Sequence, residues 1–384
     1  MNKIRILSIF GTRPEAIKMC PLVLELRKRE QIEPLVCVTG QHREMLDRVL
    51  EAFAVRPDFD LDIMKQQQTL TDVTSRAMQG LEQVFAGQKP DMVLVHGDTT
   101  TAFAAALAAF YAKLPVGHVE AGLRSFDKYS PYPEEMNRKL ISSLADIHFA
   151  PTEANAENLR REGVEKNVFI TGNTAIDALK YTVDKEYSFT EPALRDIDFS
   201  RKLVVLTAHR RENYGAPMEN IMDAVRRVAR AHRDALFVYP VHLSPYVQET
   251  ARRLLGSEEN IRLVPPLGVI DMHNLMARAY MVMTDSGGLQ EEAPALGKPV
   301  LVLRSETERP EAVAAGTVKV VGVTTADIVQ NAELLLAGGE GYRAMARAVN
   351  PYGDGEACGR IADDLLYYFG RSGSPAPDFG KTHK

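Results

Sequence analysis

Residues Tyr280–Arg304 read YMVMTDSGGLQEEAPALGKPVLVLR. Met281, Val282 and Met283 make a short buried strand, paired glycines make a turn, a short helix follows, and Gly297-Lys298-Pro299 stops it before a second apolar strand, Val300 to Leu303. The stretch is therefore a βαβ unit. Asp285 or Ser286 is placed to cap the helix, and Gly287 and Gly288 leave its first N–H groups open to a ligand. Those unsatisfied donors and the positive end of the helix suit a phosphate or diphosphate. Glu292 falls about one and a half turns further on, placed to accept from ribose hydroxyls, which describes a nucleotide site without a Walker lysine. Pro294 is expected to kink or shorten the helix.

Working back from this unit, the same strand–turn–helix pattern recurs along the chain. Ile4 to Phe10 is a buried strand entering Gly11-Thr12-Arg13-Pro14 and an amphipathic helix, with Arg13 at the strand end and Lys18 one turn into the helix. Met92 to His96 ends in Gly97-Asp98 and an alanine-rich helix, and Pro115 to Glu120 ends in Glu120-Ala121-Gly122. An aromatic and proline-rich loop then leads into a helix beginning at Glu134. Beyond Lys180–Ser200, where periodicity fades and charge rises, the pattern restarts with a strand at Lys202 to Leu206 and the loop Thr207-Ala208-His209-Arg210. The expected fold is α/β, with two similar doubly wound parallel sheets. Their strand ends would line a cleft, because ligands of open parallel sheets bind outside the carboxyl ends of strands.

Length and composition agree. A chain of 384 residues exceeds one ordinary core, and 45% apolar with 25% charged residues is a globular composition. The N-terminus enters a strand that carries an arginine, and no apolar run reaches membrane-span length, so a cytoplasmic protein without membrane contact is expected. A net charge of −5 with no basic block gives no reason to expect nucleic acid. The three cysteines lack ligand spacing and the nine histidines are dispersed, so neither a metal site nor a disulfide framework is expected.

Asp98, Glu120 and Glu134 come from three strand-end loops of the first half and are the candidate acid/base groups. Singly, such acids usually cap helices or form ion pairs. Arg13, Arg124, His209, Arg210 and Arg309 are the candidate cations, with His42, His118 and His242 weaker candidates.

The motifs FGTRPEAIKMCPL, GQHREML, VLVHGDTTTAFAAALAAF, GHVEAGLRSFDKYSPYPEEMNRKL, TAHRRENYG, YPVHLSP and TDSGGLQEEAPALGKPVLVLRSETERPEAV together resemble the non-hydrolysing bacterial UDP-N-acetylglucosamine 2-epimerases, in order from Arg5 to Phe369. The resemblance implies a glycosyltransferase-B-like fold. It has an N-terminal Rossmann-like domain over residues 1–178, rejoined by a C-terminal helix at about 356–372, and a UDP-binding Rossmann-like domain over 179–355. Residues 373–384, rich in Pro, Gly and Ser, are expected to be disordered. The implied reaction interconverts UDP-N-acetylglucosamine and UDP-N-acetylmannosamine through a 2-acetamidoglucal, without a cofactor, for surface polysaccharide or teichoic-acid synthesis.

By the same resemblance Asp98, Glu120 and Glu134 are the catalytic carboxylates, in roles left open between them, joined by His209. Substrate contacts fall on Arg13, Lys18, Arg138, Ser286, Gly287, Gly288, Glu292 and Arg309. An activating second UDP-N-acetylglucosamine is implied at Gln41, Gln68, Glu134, Arg211 and His242, although Gln67 stands where an arginine is often found. Leu267 and Met272 replace a glutamine and a phenylalanine near the uracil. A homodimer is implied. The alternative is a hydrolysing relative that releases N-acetylmannosamine and UDP.

Overall fold

The computed structural model describes residues 2–40, 43–65, 67–307 and 309–381. The chain forms two compact units, one of residues Met1–Tyr181 with Tyr352–Lys384 and the other of Thr182–Pro351. No helix among the described residues is long and apolar enough to cross a membrane.

In the first unit, apolar runs form β1 (Ile4–Phe10), β2 (Ile32–Val38), β4 (Met92–His96), β5 (Val116–Val119), β6 (Ile147–Ala150) and β7 (Val168–Ile170), and the two residues Phe59–Asp60 add an edge strand, β3. All pair in parallel, in the order β3-β2-β1-β4-β5-β6-β7. The central strands β1, β4, β5 and β6 are covered on both faces, which explains their apolar character. The helix Thr100–Tyr111 sits close on the sheet because Ala102, Ala105, Ala106 and Ala109 are the side chains it buries with Leu7, Ile9, Val93 and Val95. The returning helix Ala357–Tyr368 packs on the helix Arg13–Arg27. Its first N–H groups, those of Ala357 and Cys358, donate to the Asp177 carboxylate at 3.1 and 2.8 Å.

The second unit repeats the plan with β8 (Lys202–Thr207), β9 (Ala235–Pro240), β10 (Ile261–Val264), β11 (Met281–Thr284), β12 (Val300–Val302) and β13 (Val318–Val320), in the parallel order β10-β9-β8-β11-β12-β13. Its core is Val204, Leu206, Phe237, Tyr239, Met281 and Met283 under the helix Ala216–Ala231. In each sheet the strand order reverses beside the first strand of the unit, between β1 and β4 and between β8 and β11. A doubly wound sheet opens its ligand crevice at that point.

The C-terminal segment differs from the disorder expected for 373–384. Among its described residues, which run to Lys381, Asp378 and Phe379 lie against β7, with the Phe379 N–H donating to the Ile170 carbonyl at 2.7 Å. Asp378 and the Phe379 ring supply what the Pro/Gly/Ser composition conceals: a side-chain acceptor for an edge strand and an apolar anchor.

Candidate active site

At the first switch point β1 ends in Gly11, and an added Cβ there would lie 2.0 Å from Thr39 Oγ1 and 2.9 Å from Thr101 Oγ1, so only glycine fits. Glu15 closes the start of the following helix. Its Oε2 accepts the N–H groups of Gly11 and Thr12 at 3.0 and 2.8 Å, and its Oε1 accepts the Thr99 hydroxyl at 2.7 Å. The loops after β1 and β4 are thereby tied together by one buried carboxylate. Burial outweighs these hydrogen bonds and raises its pKa. The Thr12-x-x-Glu15 spacing is a capping-box signal readable in the sequence.

Glu120 follows β5 in the left-handed region, at φ 62°. That conformation is unfavourable for a non-glycine residue. Two residues on, Gly122 is also left-handed at φ 87°, where a Cβ would fall 2.2 Å from the Asn155 carbonyl. The Glu120 carboxylate takes the Lys18 ammonium as an ion-pair partner, the Asn173 amide at 3.1 Å, and lies 3.6 Å from His96 Nε2. Burial alone would raise its pKa, but the charge of Lys18, then that of His96, outweighs burial and holds it well below the ordinary carboxylate range.

Asp98 stands at the end of β4, where Arg138 Nε and Nη2 both lie 2.7 Å from its Oδ2, and Asn137 holds its carbonyl at 2.8 Å. Arg138 also reaches Glu135 at 3.2 Å. Glu135, fully buried, accepts the N–H groups of Ser125 and Phe126 at 2.9 and 3.1 Å and so anchors the aromatic loop. Glu134 begins the helix Glu134–Leu144. Among the described residues its Oε2 is buried without a hydrogen-bond partner, an acceptor left over for something else. Arg13 is the half-buried first residue of the helix Arg13–Arg27.

In the second unit Asp285 replaces Glu15 as the tie. Its Oδ2 accepts the N–H groups of His209 and Arg210, each at 2.8 Å, and the Asn213 amide at 3.1 Å. Neither Asp285 nor Ser286 caps the helix Gly287–Ala295 with its side chain, in contrast to the expectation, because Asp285 is turned to the β8 loop. The helix stops one residue after Pro294. An added Cβ at Gly287 would lie 3.4 Å from Arg309 Nη2 and 3.8 Å from Arg210 Nη2. Two guanidinium groups therefore stand at a helix N-terminus, an arrangement that receives anions. Arg309 is oriented by an ion pair with the buried Glu291. Glu292 Oε2 lies 3.5 Å from His273 Nε2, and His273 Nδ1 is hydrogen-bonded to the Thr182 hydroxyl at 2.7 Å.

The His209 ring stacks on His242, with centroids 5.1 Å apart and planes 10° apart. Burial first, then the neighbouring His242 and Arg210 against the opposing Asp285, lowers its pKa. It is thus poised as a neutral imidazole with both a donor and an acceptor.

The first unit thus brings together Lys18 and Glu120, and Asp98 and Arg138. The second brings together Gly287, Gly288, Glu292, Arg309, His209 and His242. Arg124 is not part of either group, since its buried guanidinium is held by Glu162 at 2.6 Å and Ser142 at 2.9 Å. His118 is also structural. It donates to the Gly97 carbonyl at 2.7 Å, and burial pushes its pKa down to about 3. Of the residues named for the activator, Gln68 accepts the Lys65 N–H at 3.2 Å, beside Gln67 at φ 55°, and Arg211 is exposed in the one-turn helix Arg211–Asn213. Gln41, like His42, lies outside the described residues. Leu267 is buried ahead of the helix Val269–Ala277, which carries Met272 half-buried. Among the described residues no group of three or more His, Cys, Asp or Glu side chains is arranged to hold a metal. Sequence reasoning passed over His96, Asn173, Glu135 and His273, whose partners are 24, 53, 10 and 91 residues away.

A family model described as UDP-N-acetylglucosamine 2-epimerase matches residues 24–366. The UDP-N-acetylglucosamine 2-epimerase of Bacillus subtilis is 54% identical over 371 residues, 96% of this chain and 97% of the relative. A structure of S. aureus MnaA with UDP is similar at TM-score 0.89 and 51% identity, over 98% of this chain and 100% of that one. The Neisseria meningitidis UDP-GlcNAc 2-epimerase bound to UDP-GlcNAc is similar at TM-score 0.86 and 49% identity, over 95% and 100%. The fold is of the glycosyltransferase-B-like class, two Rossmann-like units in one chain. With a motif-bearing site in each unit and similarity running through almost the whole of both partners in every comparison, the chain belongs to the UDP-N-acetylglucosamine 2-epimerase family.

Proposed function

We propose that the protein interconverts UDP-N-acetylglucosamine and UDP-N-acetylmannosamine without hydrolysis. The observation that carries this reading is the Glu120 carboxylate, held ionised by Lys18 in a left-handed backbone position at a strand end. A carboxylate kept in its basic form suits removal of a proton from a weakly acidic carbon.

The C2 proton of the sugar is too weakly acidic for simple deprotonation. In the proposed course a carboxylate takes that proton while the C1–O bond to UDP breaks, forming the C1=C2 bond of 2-acetamidoglucal and releasing UDP as the leaving group. UDP oxygen then adds back to C1, and a second group delivers a proton to the opposite face of C2. Asp98, Glu120 and Glu134 are the acid/base groups. Arg210 and Arg309 at the N-terminus of Gly287–Ala295 stabilise the departing diphosphate, joined by His209 as a neutral donor. Glu292 takes the ribose hydroxyls. Arg13, Lys18 and Arg138 complete the substrate contacts.

The reading extends to a cytoplasmic homodimer that serves surface polysaccharide or teichoic-acid synthesis and is activated by UDP-N-acetylglucosamine itself. A sigmoidal dependence of initial rate on that nucleotide sugar tests the activation. The main test is proton NMR of the protein with UDP-N-acetylglucosamine in deuterated water. UDP-N-acetylmannosamine with deuterium at C2 of both isomers supports elimination and re-addition. Accumulation of free N-acetylmannosamine and UDP identifies a hydrolase instead.

A further inference from the structure

We infer that the C-terminal segment 376–381 positions Glu120, acting through β7 and Asn173. This rests on the reading of Glu120 as an acid/base group. The match to the family model ends at residue 366, ahead of this segment.

β7 is the outermost strand of its sheet, and its free edge offers unpaired N–H and C=O groups. The segment occupies that edge at one residue. The Ile170 N–H donates to Asp378 Oδ1 at 3.2 Å, and the Ile170 carbonyl accepts the Phe379 N–H at 2.7 Å. Asp378 is itself held by Lys381 at 2.8 Å, and the Ala376 N–H is anchored on the buried Asp364 at 2.8 Å. Continuing along the chain, the Thr171 carbonyl accepts from Arg360 Nη1 at 3.1 Å, and the Arg360 guanidinium lies 5.5 Å from the centre of the Phe379 ring. Asn173 follows, with its N–H on the Tyr352 carbonyl at 2.7 Å and its Oδ1 accepting the Ala175 N–H at 3.0 Å. Its remaining donor, Nδ2, reaches Glu120 Oε2 at 3.1 Å.

A second route ends at the same place. The Phe379 ring packs on the cluster of Ala121, Ala150, Ala156, Leu159 and Ile170, and Ala121 is the neighbour of Glu120. A left-handed backbone at a non-glycine residue costs free energy, so the packing around Glu120 helps to hold it there. One aromatic ring thus bears on both the backbone of the carboxylate and the strand that delivers its amide donor. Loss of the ring loosens both, and a small misplacement of a reacting group is costly in rate.

The test uses the full chain with Phe379→Ala and the ring-retaining control Phe379→Tyr. Expected for Phe379→Ala are a fall in kcat of about tenfold with KM within about twofold, and an acid limb of the pH–rate profile moved upward as Glu120 loses a donor. Phe379→Tyr restores both. An unchanged kcat overturns the inference, as does a loss that follows the fraction unfolded and is not restored by the tyrosine. Wild-type protein without epimerase activity would remove the functional reading alone. Amide exchange then decides the clamp: faster exchange at Asn173 and Ala175 in Phe379→Ala supports it, and unchanged exchange overturns it.

Discussion

Oδ2 of Asp285 accepts the backbone N–H of His209 at 2.8 Å, joining the end of β11 to the loop after β8 across the point where the strand order reverses. The same oxygen takes the N–H of Arg210 and the Asn213 amide, so one buried carboxylate shapes the loop that presents both His209 and Arg210. Asp285→Ala leaves those donors buried and unpaired. The expected cost is about 2–4 kcal/mol of stability, with a weaker UDP titration by calorimetry. Asp285→Asn, which keeps one acceptor oxygen, should lose less; equal losses in the two variants would contradict this account.

Lys18 is the main counter-charge to Glu120. A carboxyl depressed by a partner stays ionised until the pH falls through its lowered pKa, so activity that needs the base persists into acid. In Lys18→Met burial is less opposed, the carboxyl takes up a proton at higher pH, and the acid limb of kcat/KM moves up by about one unit or more. The check is a pH–rate profile of both proteins, and coincident acid limbs would sink the assignment.

Gly11 allows β1 to pass Thr39 and Thr101, whose hydroxyls are hydrogen-bonded to each other at 3.1 Å. Gly11→Ala should destabilise by about 1–3 kcal/mol through overpacking. Thr39→Ala removes the hydroxyl that the new methyl would strike, so the double variant should recover part of the loss. Urea melts of the four proteins in a cycle measure that coupling, and strict additivity would refute the steric cause.

Burial, with Asp378 and Asp363 adding to it, pushes the Asp364 carboxyl up to about 7, against the Ala376 N–H and Arg360. The unfolded chain releases this proton near pH 4 and the folded chain near 7, so between those values the folded state holds more protons and stability falls as pH rises. Asp364→Asn keeps an acceptor for the Ala376 N–H and cannot ionise. Its stability advantage over wild type should grow by a few kcal/mol, on the order of 4, from pH 4 to 7 and stay level above. Urea melts at pH 4.5, 6 and 8 that run parallel for the two proteins would exclude this.

The strands were legible because a doubly wound sheet buries both faces of each strand, leaving continuous apolar runs that end in glycine and small polar residues. Ile4–Phe10, Met92–His96 and Ile261–Val264 stand where those runs stand. The two-residue strand Phe59–Asp60 escaped notice because it carries no apolar run of its own, and the helix Arg43–Ala52 was passed over although Leu46, Val49 and Leu50, with Phe53 just beyond its end, give it a buried face at helical spacing. Candidate site residues were legible where a strand-end position coincides with a charged side chain, as at Asp98 and Glu120. Arg124 fits that same description and is a structural ion pair, a difference set by Glu162, 38 residues further along.

Period, turn residues and strand-end acids are local properties, written in consecutive residues, and they were enough to place two parallel sheets and the helix N-terminus at Gly287, while the family came from the resemblance of whole motifs and the similarity to known relatives. Protonation, backbone strain and the fate of the tail were decided by tertiary structure. Lys18 meets Glu120 across 102 residues, Asn173 meets it across 53, and Asp378 meets Ile170 across 208. The charge state of a buried carboxylate depends on which groups the fold brings within a few ångströms, because the desolvation and the Coulomb forces that set it act through space and not along the chain.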